Sequence, residues 1–199
     1  VKNVLMRAFG NNLQGIPVGQ LEVERIENAL ETDPFVKNAD AYVDAHGQIH
    51  VRIEQREPVL RVMDGSGSNY YLDINGAKMP PSRNFAARVM VATGNLPPYA
   101  PDFLTKKKSP LKDLFELNQA IEADDFLKSL IQQIHLTEGG DFVLVPLIGD
   151  QKIILGGIKN LDNKFWRLKN FYKEALSREG FQKYETINLK YRDQVVCKK

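Results

Sequence analysis

Three histidines, one cysteine and a few acidic pairs are the residues of this chain best equipped for metal binding or catalysis. A metal ion needs three or four converging ligands. His46 and His50 sit on either side of a hairpin turn and His135 is remote in sequence. They read as surface histidines. Cys197 stands near the chain end with no histidine nearby, so it reads as a structural thiol. A single cysteine excludes an intrachain disulfide and a cysteine-built zinc site. Asp124-Asp125 opens a helix and Glu138/Asp141 lies in a turn, places that want acids for structural reasons. Gly156-Gly157 follows a strand, without the further glycines or the lysine of a phosphate-binding loop, and reads as a turn. No G-x-S-x-G nucleophile elbow occurs. Lys106–Lys108 lie in a proline-rich loop and read as solvated, contact with anionic lipid or nucleic acid being the alternative. Phe165, Trp166, Phe171 and Tyr172 read as helix core rather than as a base-stacking platform. These residues offer no catalytic or metal-binding arrangement, which shifts weight toward a binding or assembly module with no cofactor or metal expected.

Composition points the same way. The chain has 199 residues, a net charge of +2 and 43% hydrophobic residues. Balanced charge argues against nucleic acid as a partner. No apolar run is long enough to span a membrane. The chain begins at Val1 and reads as a processed product or a fragment.

The residues above need elements to position them. Val1, Val4, Leu5 and Ala8 recur at helical spacing, with Gly10 as the cap. After a connector at Gly15–Gly19, a second helix is expected over Gln20–Thr32, stopped by Asp33-Pro34. Strands follow at Val36–Val43 and Gln48–Arg56, joined by Ala45-His46-Gly47. Ile49, Val51 and Ile53 alternate with His50, Arg52 and Glu54, the mark of a half-buried strand. Pro58 is expected to break the ladder, which places a module boundary near Glu57.

The remainder is richer in strands. They are expected at Val59–Met63, Tyr70–Ile74 and Arg88–Thr93, with Asn75-Gly76 as a hairpin turn. Ser109-Pro110 opens a helix buried through Leu111, Leu114, Phe115 and Ile121. A short helix at Asp125–Ser129 leads to a meander over Ile131–Leu136, Phe142–Leu147 and Gln151–Leu155. Asn160 or Asp162 caps a last helix with the stripe Phe165, Leu168, Tyr172, Ala175 and Leu176, ended by Gly180. Strands at Tyr184–Tyr191 and Gln194–Lys198 close the chain around Arg192-Asp193. The expected fold class is α+β, with helices on a short sheet over 1–57 and a mixed β domain with two main helices over 58–199. The last strand, with its apolar Val195-Val196-Cys197, could sit inside its sheet or at an edge. An edge offers unpaired N–H and C=O groups to a partner's strand.

Several runs carry a family resemblance. Asp33-Pro34-Phe35-Val36, Ala39–Val43, Gly47–Ile53 and Gln55-Arg56-Glu57-Pro58-Val59 with Arg61 resemble the POTRA domain of the FtsQ/DivIB cell-division proteins. Tyr70–Gly76 followed by Met79-Pro80, Ile154-Leu155-Gly156 with Lys164 and Leu168, and Ile187–Tyr191 resemble that family's β-domain motifs in order. Met79-Pro80 is typical of its Bacteroidetes-like branch. A POTRA fold starts with a strand before its first helix, and the resemblance leads to the expectation that this strand is missing or cut off here. The resemblance implies a non-enzymatic divisome scaffold in the inner membrane, single-pass, with this fragment in the periplasm and its anchoring helix upstream. It implies recruitment of FtsB/FtsL-type partners by β-strand addition, linking early division proteins to septal peptidoglycan synthesis. The contact then falls on Tyr191, Asp193, Gln194, Val195, Val196 and Cys197. A second surface for other divisome proteins falls on the POTRA hairpin, at Tyr42, His50, Arg52 and Arg56. The alternative is a POTRA module of an outer-membrane assembly or secretion protein, although no second POTRA copy is visible in the sequence.

Overall fold

A computed structural model describes residues 22–82, 86–176, 180 and 183–199, together with Met6 and Phe9. The chain forms two compact units, Val1–Glu57 and Pro58–Lys199.

In the first unit, helix α1 (Val23–Glu31) buries Ile26 and Leu30. They pack against Val36, Ala39 and Ala41 of strand β1 (Val36–Val43), with Ile49, Val51 and Ile53 of β2 (Ile49–Gln55) beside them. β1 and β2 pair antiparallel, with Ala41 opposite Val51 and Tyr42 opposite His50. Asp33 stops α1 by accepting the Phe35 N–H at 3.0 Å, while Pro34 removes a donor. Asp44 closes the hairpin, its Oδ1 accepting the N–H groups of His46 and Gln48. The helix expected over Val1–Ala8 is described only at Met6 and Phe9, both helical. Gly10, the connector Gly15–Gly19 and the start of the second helix at Gln20 lie outside the described residues.

In the second unit, nine strands form one sheet, in the order β11-β10-β9-β8-β7-β6-β3-β4-β5. They are β3 (Pro58–Asp64), β4 (Asn69–Asp73), β5 (Lys78–Met79), β6 (Met90–Gly94), β7 (Ile131–Leu136), β8 (Phe142–Pro146), β9 (Lys152–Gly156), β10 (Thr186–Asn188) and β11 (Val196–Lys198). β3, β6 and β7 run parallel to one another, as do β9 and β10; the remaining neighbours are antiparallel. Pro58 does not end a ladder but begins β3, a strand position where a missing N–H is tolerated.

Helices α2 (Pro110–Glu122), α3 (Asp125–Leu130) and α4 (Leu161–Phe171) complete this unit. Ser109 caps α2, accepting the Lys112 N–H, and Pro110 follows in the first turn. Leu111, Leu114, Phe115, Leu117 and Ile121 of α2 join Leu60, Val62, Ala92, Ile134 and Leu144 of the sheet in one core. Asn160 precedes α4 in a left-handed conformation, φ 57°, and its side chain makes no capping bond. The expected side-chain cap is therefore absent, and Asn160 serves as a residue that tolerates positive φ. Phe165, Leu168 and Tyr172 are buried as expected, but Trp166 is 63% exposed and is not core. α4 runs on into a π turn, Tyr172–Leu176. The side chains of Ala175 and Leu176 lie outside the described residues, and Gly180 has φ +87°.

Candidate partner-docking edge

The end of the chain returns to the sheet through β10. β10 lies parallel to β9, with Ile187 opposite Ile153. Ile187 is fully buried and anchors the strand in the core. After Asn188 the ladder stops. Asn188 Oδ1 accepts the Lys190 N–H at 2.9 Å, and Asp193 takes φ 54°. This turn sends the chain back antiparallel, and Cys197 pairs with Ile187. β11 thus occupies one end of the nine-stranded order, and no strand lies on its outer side among the described residues. Both closing strands are shorter than the expected Tyr184–Tyr191 and Gln194–Lys198.

The six residues expected at the contact divide by side-chain direction. Val195 and Cys197 are half-buried and pack on the core of their own unit. Burial pushes the Cys197 thiol above its ordinary pKa, so it is a poor nucleophile. Val196 is 43% exposed and Tyr191 55% exposed. Asp193 and Gln194 are exposed as well. The outward set is therefore Tyr191, Asp193, Gln194 and Val196, beside an open backbone edge.

Two basic residues stand behind this turn: Lys164, known from the sequence only as part of a family motif, and Arg167, which the sequence reading missed. Lys164 donates to Leu155 O (2.9 Å) and Gly157 O (2.7 Å), tying α4 to the end of β9. Its pKa is lowered, first by burial and then by the neighbouring Arg167 charge. Arg167 is buried and donates to carbonyls of the β10–β11 connection. A basic residue on the flank of an apolar helical stripe, at i+4 from Asn163, was the only signal for it in the sequence. Tyr191, Asp193, Asn163 and Arg167 line part of a cavity of about 440 Å³.

The β1–β2 hairpin presents a different surface. The Tyr42 and His50 rings stack at 5.0 Å with planes 13° apart. His50 Nε2 lies 2.8 Å from Asp44 Oδ2. That bond, with the Gln48 N–H, holds the Asp44 carboxyl below the usual carboxylate range. Arg52 is exposed on the same side. Arg56 is half-buried instead, its guanidinium donating to Val36 O at 3.1 Å. Along β1, the N–H groups of Ala39 and Ala41 donate to Glu31 and Glu27 of α1 (3.1 and 2.7 Å).

No group of three or more His, Cys, Asp or Glu side chains is placed to hold a metal among the described residues. No described helix is long and apolar enough to cross a membrane. Residues 1–54 match the model of the POTRA-like domain, and residues 57–198 match that of the FtsQ/DivIB C-terminal related family. The chain is also 26% identical to a cell division protein FtsQ of Rhodothermus marinus over 188 residues, which covers 92% of this chain and 68% of the relative. The chain, a POTRA-like unit followed in sequence by a nine-stranded unit with its terminal edge strand, belongs to the FtsQ/DivIB family.

Proposed function

We propose that this chain is the periplasmic part of a membrane-anchored cell-division scaffold, and that it captures FtsB/FtsL-type partners by strand addition at β11. The observation that carries the reading is the place of β11 at the end of the sheet order, with Tyr191 and Val196 exposed beside it. A partner strand laid along β11 would pair its backbone there and meet these two side chains. Backbone pairing supplies affinity; the exposed side chains supply selection. The scaffold acts by position alone, joining early division proteins to the septal synthesis machinery without chemistry of its own. The POTRA hairpin, through Tyr42, His50 and Arg52, offers contacts to other divisome proteins.

Strand capture by the POTRA unit along β1 is the weaker reading. Glu27 and Glu31 already hold two β1 N–H groups that an added strand would need.

The test is capture of the FtsB/FtsL-type ectodomains of the same organism by the purified chain. Val196→Asp places a charge at the edge and should reduce binding at least about tenfold with the fold intact, while Val195→Pro should abolish it. Undiminished capture by folded Val195→Pro protein would overturn strand addition at this edge.

A further inference from the structure

The β10–β11 connection has few ladder bonds, yet one side chain holds it at three points. Arg167, on α4, is 7% exposed. Its Nη1 donates to Tyr191 O (2.9 Å) and to Gln194 O, and its Nη2 donates to Leu189 O (3.0 Å). Its Nε donates to Asn163 Oδ1 at 2.8 Å, one turn back on the same helix. That fourth bond fixes the plane of the fork. No carboxylate pairs with Arg167 among the described residues. A buried guanidinium without a counter-charge is expensive to keep. What it provides is geometry, because a rigid planar fork spreads its N–H donors over three nitrogens, whereas a lysine offers its three from a single point.

The three carbonyls belong to residues 189–194, the stretch between the end of β10 and the start of β11. β11 itself pairs with β10 through only three residues, Val196, Cys197 and Lys198. So short a strand is marginal on its own. Its place in the sheet depends on the connection that delivers it, and Arg167 holds that connection from beneath.

We infer that Arg167 is a positioning residue for the docking edge. By clamping residues 189–194 it keeps β11 in register on β10 before any partner arrives, so a partner strand meets a finished template. This inference rests on the proposal that β11 captures the partner. Affinity then scales with the fraction of molecules whose edge is formed, and a clamp that raises this fraction towards one removes a cost from binding.

The test uses the whole chain as wild type, Arg167→Lys and Asn163→Ala. Two quantities are measured: amide hydrogen exchange, and the dissociation constant for the FtsB/FtsL-type ectodomains of the same organism. Arg167→Lys should accelerate exchange at Val196 and Lys198, whose N–H groups face β10, while the Ile134 and Leu144 amides of β7 and β8 stay protected. Its dissociation constant should rise about tenfold, by the same factor as the formed fraction of the edge falls. Asn163→Ala, which frees the fork without removing it, should give an intermediate value for both. If Arg167→Lys also loses protection at Ile134 and Leu144, Asn163→Ala decides. Faster edge exchange with unchanged affinity would overturn the positioning role, as would unchanged exchange in both variants. Failure of the wild type to capture any ectodomain would instead overturn the docking reading itself, and the exchange data would still show whether the clamp exists.

Discussion

Gly94→Ala should destabilise the second unit by about 3–6 kcal/mol. Gly94 ends β6 with φ +99°, and a Cβ built there would lie 2.1 Å from Leu136 O and 2.9 Å from His135 Cε1. Two costs add. Positive φ in a residue with a Cβ costs about 1–2 kcal/mol. The clash is with backbone, so the central β6–β7 pair must separate, at an overpacking cost of about 1–3 kcal/mol. That movement also strains the bond from Asn95 N–H to Leu136 O, now 2.9 Å, worth about 1 kcal/mol. Gly140→Ala is the control: φ is +81° but nothing lies within 4 Å of the added Cβ. It should cost only the conformational share, about 1–2 kcal/mol. Urea unfolding of the whole chain, followed by near-UV circular dichroism of tyrosine, measures both. Six of the seven tyrosines, all but Tyr42, lie in the second unit, so the signal reports it. A difference below about 1 kcal/mol between the two variants would refute the assignment of the cost to the β6–β7 contact.

Two further outcomes follow from the helix starts and the acidic side chains. Ser109→Ala should cost about 1 kcal/mol, the usual loss of an N-cap, whereas Asn160→Gly should be neutral within about 0.5 kcal/mol because Asn160 contributes its φ and no capping bond; urea midpoints separate the two. Asp124 is held below the ordinary carboxylate pKa, first by its bond from Lys169 and then by the Leu127 N–H. Its stabilisation is therefore fully present above the unfolded-state value of about 4 and is lost as pH falls through the lower folded value. Lys169→Met should raise the Asp124 pKa and flatten the acid limb of the stability curve, read by carboxyl NMR titration and by urea midpoints between about pH 5 and pH 2.5.

Local patterns carried much of the fold. The alternation Ile49/Val51/Ile53 marks β2, and Ser109-Pro110 marks the start of α2, because each is written in adjacent residues. The parallel neighbours β3, β6 and β7 were not legible, since nothing local states which distant strand will lie beside another. Trp166 follows Phe165 in a hydrophobic-looking run, yet α4 turns it outward while Leu168 points in. The closing strands were read too long because Asn188 and Arg167 act on their backbone from the side chain. Asn188 Oδ1 takes the Lys190 N–H, and Arg167 takes the carbonyls of Leu189, Tyr191 and Gln194. The position of β11 at an edge was one of two open alternatives in the sequence; sheet order, a property of the whole unit, decided it.

The two ends of the nine-stranded sheet are unequal. At one end β5 is two residues long, and its Lys78 ammonium sits 4.8 Å from the centre of the Tyr70 ring. A short strand carrying a lysine is a poor template for further pairing. At the other end β11 is open among the described residues. A sheet that can grow at only one end cannot propagate. Two copies meeting edge to edge would close as a two-fold pair with nothing left to extend, and a copy holding a partner's strand is already complete. On the proposed docking reading, this sheet order allows one captured strand per chain and leaves no second edge from which a filament could extend.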